Sequence, residues 1–268
     1  MSFRELHERG CFVIPNPWDV GSAVYLHQLG FKALATTSAG YAYSIGLPDD
    51  VRAIPLETML RHVRDIAQAT PLPVNADFQS GFADAPEGVA RNVAACAKTG
   101  AAGLSIEDNR GDGVLYERSL AIERVKAARQ AAPGMVLTAR CEAALVGLPD
   151  ALNIALDRLV AFADAGADCL YAPGIRTHEQ IETVVKAAGP LPVNLLMSTA
   201  SGLTVKDIAA LGVRRISVGG TLARVAMNAF IKAATEIVKD GKFDSFAGVM
   251  PNAELNKFFS RAAAKKSP

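Results

Sequence analysis

The chain has 268 residues, a formal net charge of +1, and 50% hydrophobic against 21% charged residues. This balance gives no electrostatic reason to expect nucleic acid or an anionic membrane as a partner. The length permits one domain or two, and it lies within the range of a single α/β barrel with a sizeable core. We therefore expect a globular protein that acts on a small molecule.

Cysteine usage and the N-terminal sequence indicate the compartment. The first nine residues lack the apolar core of a signal peptide, and no later stretch is long and apolar enough to span a bilayer. The cysteines show no Cys-x-x-Cys spacing, which argues against a zinc site and a secreted disulfide framework. They are Cys11, Cys96, Cys141 and Cys169. These features predict a cytoplasmic protein without a membrane partner.

Short β-rich runs alternate with longer amphipathic runs through most of the chain. The pattern predicts strands over residues 12–15, 31–37, 71–77, 103–107, 135–140, 169–173, 192–196 and 215–218. It predicts helices over residues 18–29, 55–69, 86–99, 119–131, 149–165, 177–188, 204–211 and 221–238. Eight strand–helix units without a Ser- or Pro-rich linker predict an α/β fold, with residues 1–239 in a single closed (β/α)8 TIM-type barrel.

A doubly wound sheet is the alternative, and it requires a Gly-x-Gly-x-x-Gly turn after the first strand. The turn here is Pro15-Asn16-Pro17-Trp18-Asp19, so that signal is absent. Residues 240–268 follow the eighth unit and contain the apolar segment Leu255-Asn256-Lys257-Phe258-Phe259. We expect a C-terminal helical extension that packs on the barrel or on a neighbouring subunit.

Polar side chains end several of the predicted strands. Thr36, Thr37 and Ser38 end the second, Asn75 and Asp77 the third, Glu107 the fourth, Arg140 the fifth, and Asn194 lies in the seventh. A barrel gathers such residues, because the C-terminal ends of all its strands meet at one face. Asn75 and Asp77 share one strand face, since side chains alternate with period two.

These strand ends predict an oxygen-rich cluster opposite one cation. Asp77, Glu107 and Asn75, with Asp49 from the loop after the second strand, supply the oxygens, and Arg140 is the cation. Such a composition suits a site that binds Mg²⁺ together with a carboxylate. The structural alternative is that Arg140 forms an ion pair with Glu107 or Glu142.

Nucleophilic chemistry is disfavoured by the positions of the relevant residues. No histidine lies on a predicted strand end, which makes a His-based triad a poor fit; the histidines are His7, His27, His62 and His178. Cys141 has no histidine near it in sequence, and small buried cysteines outnumber reactive ones.

Several segments, taken together, resemble the phosphoenolpyruvate mutase/isocitrate lyase superfamily, and the resemblance runs from about residue 12 to residue 226. The segments are Pro15-Asn16-Pro17-Trp18-Asp19 with Ser22-Ala23, Thr37-Ser38-Ala39-Gly40 with Gly46-Leu47-Pro48-Asp49, Asn75-Ala76-Asp77 with Gly81-Phe82, Ile106-Glu107-Asp108, and Ala139-Arg140-Cys141-Glu142-Ala143. The resemblance implies an enzyme that uses Mg²⁺ or Mn²⁺ and acts on a small 2-oxo or 2-hydroxy carboxylic acid through a pyruvate-enolate-like intermediate.

The resemblance also implies roles for single residues. Asp77 is similar to the family's direct metal ligand, Asp49 and Glu107 look like water-mediated ligands, and Asn75 stands where many members have an aspartate. The positions that look like substrate-binding ones are Trp18, Thr37, Ser38 and Arg140, with backbone N–H groups near Ser38 holding a carboxylate. Ala39 and the strand-end residue Asn194 complete the predicted substrate-binding set. Arg140, Asp49 and Glu107 are the predicted catalytic residues. Family members are usually tetramers that exchange a C-terminal helix, so a homotetramer is expected.

Departures from the family pattern reduce the number of candidate reactions. The loop at residues 108–116 lacks the Lys-Lys-Cys-Gly-His or Lys-Arg-Cys-Gly-His motif of the lyases, and Tyr171-Ala172-Pro173-Gly174 lacks the mutase's histidine. These losses disfavour isocitrate lyase, methylisocitrate lyase and phosphoenolpyruvate mutase proper. The expected function is a Mg²⁺-dependent lyase that decarboxylates an oxaloacetate-like acid or cleaves a di- or tricarboxylic acid by a retro-aldol reaction.

Three candidates for the acid and base of a retro-aldol cleavage are Tyr41, Tyr43 and Glu142. One alternative function is P–C bond chemistry, as in a phosphonopyruvate hydrolase or a phosphoenolpyruvate mutase. A binding protein on a barrel that has lost its catalytic groups is the non-enzyme alternative.

Overall fold

The computed structural model describes residues 2–51, 53–111 and 113–264. Eight parallel strands pair in the order β1-β8-β7-β6-β5-β4-β3-β2. The strands are β1 (Phe12–Ile14), β2 (Leu34–Ala35), β3 (Val74–Asp77), β4 (Gly103–Glu107), β5 (Val136–Arg140), β6 (Cys169–Tyr171), β7 (Val193–Leu196) and β8 (Arg215–Ser217). Helices alternate with these strands, which confirms the predicted (β/α)8 TIM-type barrel.

Ten α-helices lie in the described part of the chain. They are α1 (Val20–Gln28), α2 (Ser38–Ser44), α3 (Leu56–Ala69), α4 (Pro86–Ala97), α5 (Arg118–Ala131), α6 (Ala151–Asp164), α7 (His178–Ala188), α8 (Val205–Ala210), α9 (Thr221–Asp240) and α10 (Asn252–Ala264). Two short 3-10 helices cover Glu5–His7 and Asp244–Phe246. Among the residues described, none of the helices combines the length and hydropathy required for a transmembrane span.

The barrel is closed between β1 and β2 by single hydrogen bonds rather than by a full strand ladder. The backbone N–H of Ala35 donates to the carbonyl oxygen of Pro15 at 3.1 Å. Asn16 then spans the seam, because its Nδ2 donates to Thr36 O at 3.0 Å and its Oδ1 accepts from the backbone of Val218 and Gly219 at 3.0 and 2.9 Å. One amide side chain therefore joins the ends of three neighbouring strands.

The second strand is shorter than predicted, and a helix follows it that the sequence pattern did not indicate. β2 covers Leu34–Ala35, and α2 starts at Ser38 with Thr37 as its N-cap, whose Oγ1 accepts from Gly40 N at 3.2 Å. A Cβ on Gly40 would lie 2.7 Å from the Thr37 side chain and 3.0 Å from Trp18 Cβ. The small residues allow the helix N-terminus to approach the strand ends this closely.

The barrel interior is polar, and the main apolar core lies between the strands and the surrounding helices. Leu104 and Ile106 of β4, for example, are buried in one cluster with Val93 of α4 and Val125 of α5. Several interior-facing strand residues are instead polar and buried: Asn75, Ser105, Thr138, Asn194, Arg215 and Ser217. The stability of the fold therefore comes chiefly from the outer layer, which leaves the interior available for chemistry.

The N-terminal segment closes the lower end of the barrel around a buried histidine. His7 Nδ1 bonds to the carbonyl oxygen of Phe3 at 2.8 Å, and its Nε2 lies 3.3 Å from Arg215 Nη1. Because a carbonyl only accepts and a guanidinium only donates, Nδ1 carries the proton and Nε2 accepts. Burial, together with the charge of Arg215, lowers the pKa of His7 to about 3, so this imidazole is neutral.

We expect His7 to make the protein less stable in mild acid. The unfolded chain takes up a proton on His7 below its ordinary pKa of 6.5, whereas the folded chain does not until about pH 3. The free energy of unfolding therefore loses up to about 1.4 kcal/mol per pH unit as the pH falls through this window. Urea unfolding of the wild type and His7→Gln between pH 7.5 and 4.5 measures the difference in slope.

The exposed His178 of α7 provides the matched control. His178→Gln should keep the wild-type slope, while His7→Gln should reduce it by about one proton. Equal slopes in the wild type and His7→Gln would contradict the neutral, buried state of His7.

The C-terminal segment returns to the outside of the barrel. The ring of Phe258 in α10 lies 4.5 Å from that of Tyr25 in α1, and Ala262 is buried in one cluster with Ala23 and Val24. The helix α9 ends at Asp240, one residue beyond the predicted end of the barrel unit. Residues 265–268 of the predicted extension lie outside the described residues.

Candidate active site

A cavity of about 350 Å³ opens at the C-terminal ends of the strands. Nine of the ten predicted site residues line it: Thr37, Ser38, Ala39, Asp49, Asn75, Asp77, Glu107, Arg140 and Asn194. Trp18 does not line this cavity, since it lies against Gly40 on the other side of α2. The structure thus gives Trp18 a position behind the helix that carries Ser38, rather than one facing a ligand in the cavity.

Asp77 connects the third strand to the start of α2. Its Oδ2 accepts hydrogen bonds from both the backbone N–H and the hydroxyl of Ser38, each at 2.9 Å. Its own backbone N–H donates to Thr36 Oγ1 at 2.8 Å. The carboxylate is held by β3, β2 and α2 together, so its position is set by backbone elements rather than by a flexible loop.

Arg140, at the end of β5, contacts three carboxylates at once. Its Nη1 lies 2.9 Å from Asp77 Oδ1, its Nη2 3.2 Å from Glu107 Oε2, and its Nε 2.9 Å from Glu142 Oε1. The side chain is only 13% exposed, and its guanidinium carbon lies 5.0 Å from the centre of the Tyr171 ring. The fixed fork of donors suits three partners in different directions. The ion pairs weighed as a structural alternative are therefore present.

The cluster holds more carboxyl groups than cations. Three carboxyl groups surround one guanidinium, and Glu107 and Glu142 are both buried. Burial raises the pKa of Glu107 well above its ordinary value, and it also raises the pKa of Glu142. Buried carboxylates in excess favour either proton uptake or the binding of another cation.

The arrangement suits a hard cation held partly through water. No group of three His, Cys, Asp or Glu side chains within the described ranges is set to ligate one ion directly. Asp77 has one oxygen bonded to Ser38 and one to Arg140, while Asp49 lies at the exposed mouth of the cavity. These positions fit one direct carboxylate ligand with outer carboxylates acting through water, and they do not fit a three-carboxylate cage.

Two amides lie on either side of Asp77 in the sequence, Asn75 within β3 and Gln79 just after it. Asn75 lies two residues before Asp77, and a Cβ on Gly103 at the lower end of β4 would lie 3.2 Å from its Oδ1. Gln79 lies two residues after Asp77 with φ of 45° and is only 4% exposed. Within the described residues, the side-chain oxygens of Asn75 and Gln79 both lack a hydrogen-bond partner. Gln79 was missed, although its period-two spacing from Asp77 could have indicated it.

Asn194 makes two side-chain hydrogen bonds on the cavity floor. Its Oδ1 accepts from Arg215 Nε at 2.8 Å and its Nδ2 donates to Ser217 Oγ at 2.9 Å. Sequence reasoning did not identify Arg215, which also lines the cavity. The described residues give Arg215 no carboxylate partner among their ion pairs, which are formed by Arg4, Arg118, Lys126, Arg129, Arg140 and Arg158.

The candidate acid–base groups separate into two sets. Tyr41 does not line the cavity, because its ring stacks on His62 with centroids 3.8 Å apart. Tyr43 and Glu142 do line it. The backbone N–H of Glu142 donates to Asp108 Oδ1 at 2.8 Å, which fixes the loop after β5.

Burial raises the pKa of the Cys141 thiol, so a thiolate nucleophile is disfavoured there.

Comparison with known proteins places the chain in a family. The family model described as phosphoenolpyruvate phosphomutase matches residues 3–238. The chain belongs to this family. Within the wider phosphoenolpyruvate mutase/isocitrate lyase superfamily, homologues are lyases, mutases and hydrolases, so the cavity at the strand ends is the candidate active site of an enzyme-family member.

Three relatives illustrate the range of this superfamily. A lyase/mutase candidate from Burkholderia cenocepacia J2315 has a solved structure 48% identical to this chain, with a TM-score of 0.91 over 97% of this chain and 94% of that one. An oxaloacetate decarboxylase of Rhodopseudomonas palustris (strain BisB5) is 31% identical over 223 residues, covering 80% of this chain and 75% of the relative. A phosphonopyruvate hydrolase solved with oxalate and Mg²⁺ is 25% identical, with a TM-score of 0.85 over 99% and 97% of the two chains.

Proposed function

We propose that this protein is a metal-dependent carbon–carbon lyase acting on a small 2-oxo or 2-hydroxy dicarboxylic acid, with oxaloacetate-like decarboxylation as the leading reaction. The supporting observation is the cluster of Asp77, Glu107 and Glu142 around Arg140, in which three carboxyl groups face one cation. Decarboxylation needs chiefly a held carboxylate and a site that accepts enolate charge. A bound Mg²⁺ or Mn²⁺ supplies the second of these by acting as a Lewis acid.

Residues of the chain itself hold the substrate carboxylate. In this proposal Arg140 pairs with a substrate carboxylate through its planar fork, while Glu142 and Asp77 keep the guanidinium aimed into the cavity. Asp77 is the direct metal ligand, and Asp49 and Glu107 act through water. Ser38 and Ala39 bind the substrate from the start of α2. For a retro-aldol cleavage, Tyr43 and Glu142 are the groups that line the cavity and transfer a proton.

The proposal is tested by product analysis with the purified protein. Oxaloacetate, 2-hydroxy diacids and phosphonopyruvate are each incubated with and without Mg²⁺, and pyruvate and phosphate are measured separately. We expect Mg²⁺-dependent pyruvate release without phosphate. Because free Mg²⁺ itself promotes decarboxylation of oxaloacetate, the rate is taken relative to Asp77→Asn at the same metal concentration.

The same panel separates the alternatives. Release of phosphate from phosphonopyruvate would replace the proposal with P–C bond hydrolysis, the activity named for one relative. If no acid turns over and neither Mg²⁺ nor oxalate raises the melting temperature, a binding protein for another ligand is the better reading.

We also propose that the chain assembles as a homotetramer. Its supporting observation is an apolar surface along α9 and the segment after it, formed by exposed side chains that include Phe230 at 67% and Val238 at 86% exposure. The remaining members are Val225, Ile231, Phe243, Phe246, Val249, Met250 and Phe259. So many exposed large apolar side chains in one segment favour a protein interface over a solvated face.

Light scattering is expected to give a mass about four times the 28.2 kDa of one chain. Phe230→Asp together with Ile231→Asp should reduce it to a smaller species, because buried unpaired carboxylates at an interface are costly. Leu29→Asp, which places a carboxylate at a similarly exposed site on the end of α1, is the control and should leave the mass unchanged. A wild-type mass of one or two chains would contradict the proposal.

A further inference from the structure

Four buried polar side chains form a hydrogen-bonded row from the lower end of the barrel up to the active-site cavity. Arg215 Nη1 lies 3.3 Å from His7 Nε2, and Arg215 Nε donates to Asn194 Oδ1 at 2.8 Å. Asn194 Nδ2 in turn donates to Ser217 Oγ at 2.9 Å. Each of the four residues is at most 7% exposed, so bulk water competes little for these bonds. We call this set the polar row.

The arginine sets the direction of the hydrogen bonds above it. A guanidinium only donates, so the side-chain oxygen of Asn194 must face Arg215 and the amide nitrogen must face Ser217. Ser217 Oγ therefore accepts from Asn194, and the hydrogen of its hydroxyl points to another acceptor. The upper end of the polar row is thus a hydroxyl group that donates.

Tyr171 is the neighbour that accepts from Ser217. It ends β6 and pairs with Asn194 of β7 in the parallel ladder, and both Tyr171 and Ser217 line the cavity. Burial raises the pKa of Tyr171 to about 12, while the charge of Arg140 and a hydrogen bond from Ser217 act against that rise. The phenol is therefore protonated at neutral pH. Because its oxygen accepts from Ser217, its hydrogen points away from Ser217 and toward the cavity.

We propose that the Tyr171 hydroxyl donates a hydrogen bond to the substrate carboxylate that Arg140 binds, and that the polar row holds the hydroxyl in this orientation. The guanidinium carbon of Arg140 lies 5.0 Å from the centre of the Tyr171 ring, so one carboxylate can reach both donors. This inference rests on the proposed lyase function. Tyr171 touches the substrate, whereas Arg215, Asn194 and Ser217 are positioning residues that act through it.

The first test removes the phenol oxygen. Tyr171→Phe should raise the Kd of oxalate, measured by calorimetry with saturating Mg²⁺, about 10- to 100-fold, the usual effect of one hydrogen bond to a charged group. kcat/KM for oxaloacetate should fall by a similar factor. Thr138→Val is the matched control, because it removes a buried hydroxyl of β5 that does not line the cavity. It should keep both values close to those of the wild type.

The second test reverses the direction of the polar row. Aspartate at position 194 still accepts from Arg215, but its other oxygen also only accepts, so it draws the hydroxyl hydrogen of Ser217 toward itself. Ser217 Oγ then accepts from Tyr171, and the phenol hydrogen turns away from the substrate. Asn194→Asp should therefore weaken oxalate binding about as much as Tyr171→Phe. Adding Ser217→Ala removes the acceptor that turned the phenol and should recover at least about fivefold in affinity.

The outcomes separate this inference from the lyase function. Wild-type oxalate affinity in folded Tyr171→Phe, with the wild type still turning over oxaloacetate, overturns the contact with the carboxylate and leaves the lyase function standing. No recovery on adding Ser217→Ala to Asn194→Asp overturns the positioning role of the polar row. A wild type that neither binds oxalate with Mg²⁺ nor turns over any diacid overturns the lyase function, and this inference with it. Thermal melting shows which variants are folded.

Discussion

Replacing Asp77 with asparagine is expected to lower kcat/KM for the 2-oxo acid at least about 1000-fold. The substitution keeps the shape of the side chain and an oxygen that can accept from Ser38, but it removes the charge that faces Arg140. In the proposed mechanism that charge is also the direct metal ligand. Steady-state rates with Mg²⁺ and a 2-oxo diacid, set against the metal-only background, measure the effect.

The melting temperature of Asp77→Asn should stay close to that of the wild type although its activity is lost. The cluster around Arg140 has carboxylates in excess, so the loss of one charge at Asp77 is not expected to lower the melting temperature. Asp168 is the matched control, because it also pairs with two arginines, Arg4 and Arg129, each at 2.6 Å. Asp168→Asn should lower the melting temperature and keep kcat/KM within about twofold. Wild-type turnover by Asp77→Asn would refute the assignment.

The position of the site could be predicted from the sequence because it depends on topology. Once the alternation of strands and helices indicates a parallel barrel, the C-terminal ends of all strands must meet, whatever the side chains do. Asp77, Glu107 and Arg140 end three neighbouring strands, and the structure brings them within hydrogen-bond and ion-pair distance of one another. Their catalytic and metal-binding roles remain predictions.

Two details of the site could not be predicted from the sequence, for physical reasons. The helix α2 was missed because Thr36 and Thr37 favour a strand, whereas the N-cap bond from Gly40 to Thr37 and the packing of Gly40 against Trp18 determine the turn. Arg215 was missed because nothing local in β8 distinguishes a buried arginine from an exposed one. Its partners His7 and Asn194 come from distant parts of the chain.

Arg140 has two roles in the proposed site. In the structure it contacts the same carboxylates that are proposed to hold the metal, and in the proposed mechanism it binds the substrate. Both roles are compatible only if an arriving cation takes over part of the charge balance, which frees guanidinium donors for the substrate. Metal and substrate are then expected to bind cooperatively, because each reduces the cost of accommodating the other.

Replacing Arg140 with methionine is expected to lower the free energy of unfolding by about 3–5 kcal/mol near neutral pH, the usual cost of leaving buried charges unpaired. Lysine should recover part of the loss, because a single ammonium cannot reach three carboxylates as the guanidinium does. Urea unfolding at pH 7.5 measures both variants. Turnover should be lost in Arg140→Met and strongly reduced in Arg140→Lys.

The sign of the pH dependence distinguishes unpaired charge from lost packing. Without Arg140, the pKa values of Glu107 and Glu142 in the folded chain should rise further above those in the unfolded chain, so the folded chain binds more protons. The deficit in Arg140→Met, relative to the wild type, should therefore shrink as the pH falls from 8 to about 5. Adding Glu142→Gln should reduce the deficit at pH 8 without restoring turnover. A deficit independent of pH and unaffected by Glu142→Gln would mean that Arg140 stabilises the barrel by packing, and that the carboxylates around it are already protonated.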